Sequence, residues 1–317
     1  MAKQPDRSHR GSGREALLAS RSEISDYSIP DGRYNGPTLK DNGARQLRQI
    51  SGSEARMLIR SREWAKPTSG LADGYIQANL VVVANSIANE FERFCRLNPR
   101  PLPLLERVGP GSYNPTLCAA GADLRSDIPK YCVYENGVMA REVVDLHAEW
   151  QKDWCAFLLG CSFTFDSLLV DAGISVSHRE QGCNVPMYET SRVLRSSGPF
   201  AGNLVVSMRA IKRKDLDRVT EITRPLTLAH GEPVQIGAPE DLGIRDLDHP
   251  DYGDAVQIAD SEVPVFWACG VTAQQAAQSS RIPLMVTHAP GHMFITDWRI
   301  EDLPNTDEQA PGSVRRQ

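Results

Sequence analysis

The stretch EVPVFWACGVTAQQAAQSSRIPLMVTH, residues 262–288, constrains the fold more than any other. Two short apolar runs flank a segment with helical period. A strand, a helix and a second strand in that order predict a right-handed βαβ crossover in a parallel sheet. Upstream, GYIQANLVVVA has the continuous apolar run of a buried strand, and SIANEFERFCRLN reads as a helix that Pro99, Pro101 and Pro103 bring to an end. SGSEARMLIRSREW predicts a capped helix, and Asn136-Gly137 within KYCVYENGVMAREV predicts a tight hairpin. VVDLHAEWQKDWCAFLLG reads as a long amphipathic helix closed by Gly160. From Cys161 onward the pattern changes: TFDSLLVDAG and KRKDLDRVTEITR predict helices, NVPMYETSR and NLVVSMRAI strands. The expected fold class is α/β, a discontinuous three-layer αβα domain (51–163 and 228–303) carrying a smaller inserted two-layer α+β domain (164–227). Residues 1–50, poor in apolar groups, are expected to form a disordered extension, and 304–317 a flexible tail.

Charge and cysteine usage narrow the partners. A formal net charge of -5 offers no basic surface for phosphate backbones, and no apolar run approaches the ~20 residues of a membrane helix. A small-molecule carboxylate is the expected partner, with no nucleic acid, no membrane, no cofactor and no metal, and homo-oligomer formation left open. The seven cysteines form no CxxC pair, which predicts reduced thiols and a cytoplasmic protein. The mitochondrial matrix is the alternative, because the first fifty residues hold nine Lys or Arg against six Asp or Glu and faintly resemble a transit peptide.

Several segments concentrate groups able to do chemistry. In MVTHAPGHMFITD, His288 and His292 are four apart, but Pro290 and Gly291 forbid a helix, so a turn has to bend the two imidazoles toward one crevice. Cys269 falls where a predicted strand ends and Thr272 can cap the next helix. GCSFTFD places Cys161 and Ser162 ahead of a helix, where free backbone N–H groups lower a thiol pKa or hold a carboxylate. HREQGCNVPMY gathers His178, Glu180, Asn184 and Tyr188. Gln77 and Asn79 share one face of an apolar strand and need partners there. The catalytic candidates are His288, His178, Glu180, Cys161 and Cys269. The substrate-binding candidates are Ser162, Arg125, Asn184, Tyr188, Gln77, Asn79 and His292. A plain structural role competes for each, as a helix cap for Ser162 or a backbone partner for His292.

Taken together, GYIQANLVVV, FERFCRLNPRPLPLLE, DLRSDIPKYCVY, GCSFTFD, NVPMYETS, VVSMR, HGEPVQIG, PDYGD, VPVFWACGVT and THAPGHMFITD resemble the YcsI-like hydro-lyase family. The likeness runs in order from about Gly74 to Asp297. It implies a three-layer αβα domain paired with a two-layer one, and a relation to D-glutamate cyclase, which removes water as D-glutamate closes to 5-oxo-D-proline. It also implies a glutamate where Asp166 stands and an aspartate where Ala238 stands. The leading functional expectation is therefore a lyase that eliminates water from, or cyclises, a small carboxylate-bearing substrate. A cysteine-dependent amidohydrolase or transferase is the alternative enzyme, and a catalytically silent small-molecule binder the alternative class.

Overall fold

The computed structural model describes residues 47–302, so most of the N-terminal extension and all of the C-terminal tail lie outside the described residues. Helix α1 (Gly52–Arg60) begins with a complete capping box, Ser51 accepting from the Glu54 amide while Glu54 accepts from the Ser51 amide. Strand β1 (Tyr75–Ala84) leads into α2 (Asn85–Leu97) and β2 (Leu104–Val108). The hairpin β3 (Tyr131–Glu135) and β4 (Val138–Val143) turns at Asn136 and Gly137, with φ of 52° and 80°, the geometry a two-residue hairpin demands. β5 (Trp154–Gly160), α3 (Phe163–Asp171), α4 (Ser177–Gln181), β6 (Met187–Val193), β7 (Asn203–Lys212) and α5 (Leu216–Thr223) follow. After them come β8 (Gln235–Ile236), β9 (Glu262–Ala268), α6 (Thr272–Ser279), β10 (Leu284–His288) and β11 (Phe294–Arg299).

These strands form two antiparallel sheets, one ordered β2-β5-β1-β10-β3-β4 with β11 also on β1, the other β6-β7-β9-β8. The mixed α/β class is as expected, but the parallel crossover is not. β9 pairs with β7 in the second sheet and β10 with β1 in the first, so α6 links the two sheets instead of crossing over one. The second sheet thus takes β8 and β9 from beyond residue 227. A second correction concerns Trp154–Gly160, which is a strand and not the end of a helix. All seven residues are buried, so an unbroken apolar run there carries no helical face, and it lies in the sheet interior between β1 and β2. Gly160 is a close-approach residue, not a helix cap: a Cβ there would lie 1.6 Å from the Leu228 carbonyl oxygen.

Side-chain alternation on β1 divides the core. Val81 and Val83 pack with Ala88, Phe91 and Phe94 of α2 and with Ala276 of α6. Leu80 and Val82 point the other way, into a cluster with Phe165 of α3, Val219 of α5, and Ile211, Val265 and Trp267 of the second sheet. Phe91 anchors the first side, edge-on to Phe157 at 4.9 Å and to Phe200 at 5.0 Å. Beyond the second sheet, Val206, Met208 and Phe266 pack with Leu242 and Ile244. Among the described residues no helix is long and apolar enough to cross a membrane.

Candidate active site

The interruption between β10 and β11 sets one wall. Thr287 pairs with Val81, and Phe294 pairs with Ala78, so residues 289–293, past the end of β10, bulge out of what is otherwise one line of pairing on β1. Gly291, at φ 83°, makes the bend, and its backbone carbonyl accepts from the Thr68 amide. Asn184 packs directly on this glycine and donates from Nδ2 to the Pro290 carbonyl at 3.2 Å. His288 stays inside the sheet, its Nδ1 held at 3.2 Å by the Leu80 amide and its Nε2 buried without a partner. Burial brings its pKa down to about 4, so the ring is neutral at pH 7. His292 is half-buried, 3.1 Å from the Pro290 carbonyl, and burial again lowers its pKa.

The most deeply buried assembly of ionisable groups lies between α3, α4 and β7. The Asp166 carboxylate accepts from Arg209 Nε at 2.8 Å, and its other oxygen lies 3.2 Å from His178 Nε2 without hydrogen-bond alignment. Arg209 Nη1 donates to Ser207 at 3.0 Å and Nη2 to Ser162 at 3.1 Å, while its guanidinium lies over the rings of Phe165 and Trp267. Ser69 reaches His178 Nε2 at 3.3 Å, Phe163 stacks on the imidazole, and Nδ1 has no partner. Asp166, Arg209, His178, Ser162 and Ser207 are each at most 2% exposed. Burial alone would raise the Asp166 carboxyl, but Arg209 and then His178 outweigh it and hold it down to about 2. Burial lowers the His178 pKa more than Asp166 raises it, which leaves a neutral imidazole beside an ionised carboxylate.

The other expected site residues divide in two. Cys161 and Cys269 border the cluster in a small apolar group with Val205 and Met293. Burial pushes both thiols up, Cys269 to about 11, which is the opposite of what an activated thiolate needs. Ser162 makes no helix cap, because its hydroxyl serves Arg209, and Thr272 ties α6 to the Val205 backbone. Asn79 donates to the Gly160 carbonyl at 2.6 Å, and Gln77 is consumed by Thr68 and the Leu71 carbonyl. Three residues are not brought to the cluster. Glu180 is exposed, Tyr188 donates to the Leu247 carbonyl at the outer core, and Arg125 is engaged by Asp123 and the Tyr113 ring. Ala238 is exposed too, in a left-handed turn (φ 44°) ahead of Pro239, where an aspartate would stand at the N-cap position of the short turn Pro239–Leu242. Among the described residues no three His, Cys, Asp or Glu side chains converge as metal ligands would.

Arg209 and Ser207 were missed from sequence, although NLVVSMRAI did carry a signal. Val205, Ser207 and Arg209 are two apart, so a serine and an arginine share one face of an apolar strand. Ser69, in a short polar loop, had no comparable signal.

Two antiparallel sheets enclosing a carboxylate, an imidazole and a guanidinium define a mixed α/β protein with a sequestered polar site. Comparison with known proteins then fixes the family. The family described as D-glutamate cyclase matches residues 155–297. "Putative hydro-lyase GK2103" of Geobacillus kaustophilus is 52% identical over 80% of this chain and 97% of its own length. A "Putative hydro-lyase" of Rubrobacter xylanophilus is 52% identical over 78% of this chain and 95% of its own length. The chain belongs to this D-glutamate cyclase-like hydro-lyase family. Among solved structures, a nitrogen repressor-like protein from Methanococcus jannaschii covers 74% of this chain and 91% of its own, at 10% identity and a TM-score of 0.33, too distant to bear on the argument.

Proposed function

We propose that this protein is a hydro-lyase that removes water from a small carboxylate-bearing substrate, by elimination or by cyclisation of an amino acid such as D-glutamate. The observation that carries the reading is His178, a buried neutral imidazole with a free nitrogen, set against an ionised Asp166 and the Arg209 guanidinium. Elimination needs one proton removed and one delivered, and cyclisation needs two of each. In cyclisation, the imidazole takes a proton from the substrate ammonium, the freed amine attacks the distal carboxylate carbon, and the nitrogen gives up a second proton as the C–O bond to the departing oxygen breaks. The imidazole passes both protons in turn to that oxygen, which leaves as water, so a single base serves both halves. Asp166 favours the transient imidazolium, and Arg209 can exchange its neutral serine partners for the substrate carboxylate. The cysteine-dependent alternative is not supported by two buried, protonated thiols, and the exposure of Ala238, while the cluster is buried, weighs against the silent-binder alternative. The finer architecture belongs to the same reading: α2 on one face of the large sheet and α3 on the other correspond to the three layers implied by the family resemblance.

The test is a panel of amino and hydroxy dicarboxylates, D-glutamate among them, followed by mass spectrometry for loss of water. One member should turn over, and His178→Asn should slow it by ~10²-fold or more per folded molecule. An inert panel, or an undiminished His178→Asn variant, would overturn the proposal.

A further inference from the structure

Away from the cluster the chain builds a second concave site. A pocket of about 770 Å³ opens where the end of α2 and residues 99–104 face residues 224–232, a volume suited to a small organic ligand. Its walls include Leu102, Pro103 and Leu228, and its lining carries three guanidiniums, Arg96, Arg100 and Arg224, against the single carboxylate of Glu232. Positive charge is therefore in excess. Arg96 is taken by Glu92 of its own helix. Arg224 meets Glu232 through Nε alone, at 3.0 Å. Arg100 makes no direct ion pair among the described residues: its Nη2 donates to the Glu232 and Pro233 carbonyls, and the Glu232 charge attracts it at a distance while the like charge of Arg192 opposes. His230 completes the wall, buried, with Nδ1 2.8 Å from the Arg100 carbonyl and Nε2 without a partner. A cation against an apolar wall with only carbonyl partners leaves a place for an anion.

We propose that this pocket binds a small organic anion with an apolar body, its carboxylate bridging Arg100 and Arg224 and its body lying on Leu102, Pro103 and Leu228. The site stands apart from the polar cluster and backs onto it. The Leu228 carbonyl presses on Gly160, two residues before Ser162, and Arg209 acts electrostatically on His230.

Octanoate and octan-1-ol separate charge recognition from apolar binding. By titration calorimetry on the full chain, octanoate should bind saturably and at least ten times more tightly than octan-1-ol. Arg224→Glu, at an exposed side chain whose loss spares the fold, should weaken octanoate at least tenfold and leave octan-1-ol unchanged. Circular dichroism checks that the variant is folded, and Arg224→Lys should recover part of the loss. His178→Asn should bind octanoate like the wild type whatever becomes of turnover, which keeps this proposal separable from the catalytic one. No saturable octanoate binding, equal affinity for the alcohol, indifference to Arg224→Glu, or loss in His178→Asn would each overturn it.

Discussion

Replacing Asp166 with Asn keeps the outline of the side chain and deletes the charge that Arg209 faces. Both partners are essentially inaccessible to water, so the variant strands a buried guanidinium against two serines and two aromatic rings. Breaking one side of such a pair costs ~3–5 kcal/mol. A second route gives a similar size. The Asp166 carboxyl falls from 3.8 to about 2, and at ~1.4 kcal/mol per unit the ionised form contributes about 2 kcal/mol to folding at pH 7. The larger figure includes the abandoned guanidinium. For a domain of this size it corresponds to a melting temperature lower by roughly 6–20 °C. Urea unfolding followed by tryptophan fluorescence is the natural assay, since Trp267 lies against Arg209. The pH dependence has a fixed sign: the carboxylate's contribution is whole above its ordinary value and disappears as pH falls toward about 2, so the Asn variant should lack that part of the acid transition. The double variant Asp166→Asn/Arg209→Met should recover much of the loss, because it leaves no charge unpaired. A single-variant loss under ~1 kcal/mol, or a double variant as unstable as the sum of both singles, would refute the reasoning.

Burial lowers His230 and His288 from 6.5 to about 4 each, so the folded chain declines protons that the unfolded chain takes up. Stability should be full above pH 6.5 and fall by roughly 3–4 kcal/mol between pH 7 and pH 5, about half of it lost from the profile in His288→Asn; a flat urea midpoint over that range would contradict this. Iodoacetamide should label Cys183, the one cysteine not buried, well before Cys161 or Cys269, and Cys161→Ser and Cys269→Ser should keep activity per folded molecule; rapid labelling of either would restore the thiol reading. Gly291→Ala forces a Cβ to within 2.6 Å of Asn184 at a φ of 83°, so thermal unfolding should show a loss of more than ~2 kcal/mol, and an unaltered melting curve would mean that the bend is not as described.

What could be read beforehand was whatever the chain decides locally. The α1 cap, the Asn136-Gly137 hairpin and the apolar β1 depend on neighbours within a few residues, and each was legible. Trp154–Gly160 was misread because a uniformly apolar run has no period, so its helical or extended state is settled by the strands on either side. The same holds for β9 and β10, which look alike in composition and belong to different sheets because partner choice is a long-range decision. In the candidate site, His178 and Glu180 were grouped from sequence, and the structure buries the first and exposes the second. On a short helix, two residues amount to roughly 200° of rotation, so one side chain enters the core as the other leaves it. Arg209 needed only the strand alternation to be applied to a charged residue.

The pairing around β1 also fixes the order in which the molecule can be made. Val81 finds Thr287 and Ala78 finds Phe294 only after nearly the whole described chain has been synthesised, and β9 reaches the second sheet almost as late. Until then both sheets present open edges, and no early portion of the chain can bury its own apolar surface as a finished unit. Folding governed by such distant contacts is slow and follows synthesis instead of accompanying it. A chain cut just before Phe294 would therefore emerge with the β11 edge of β1 open from Tyr75 to Ala78, a substrate for chaperones or for aggregation before it could hold any ligand.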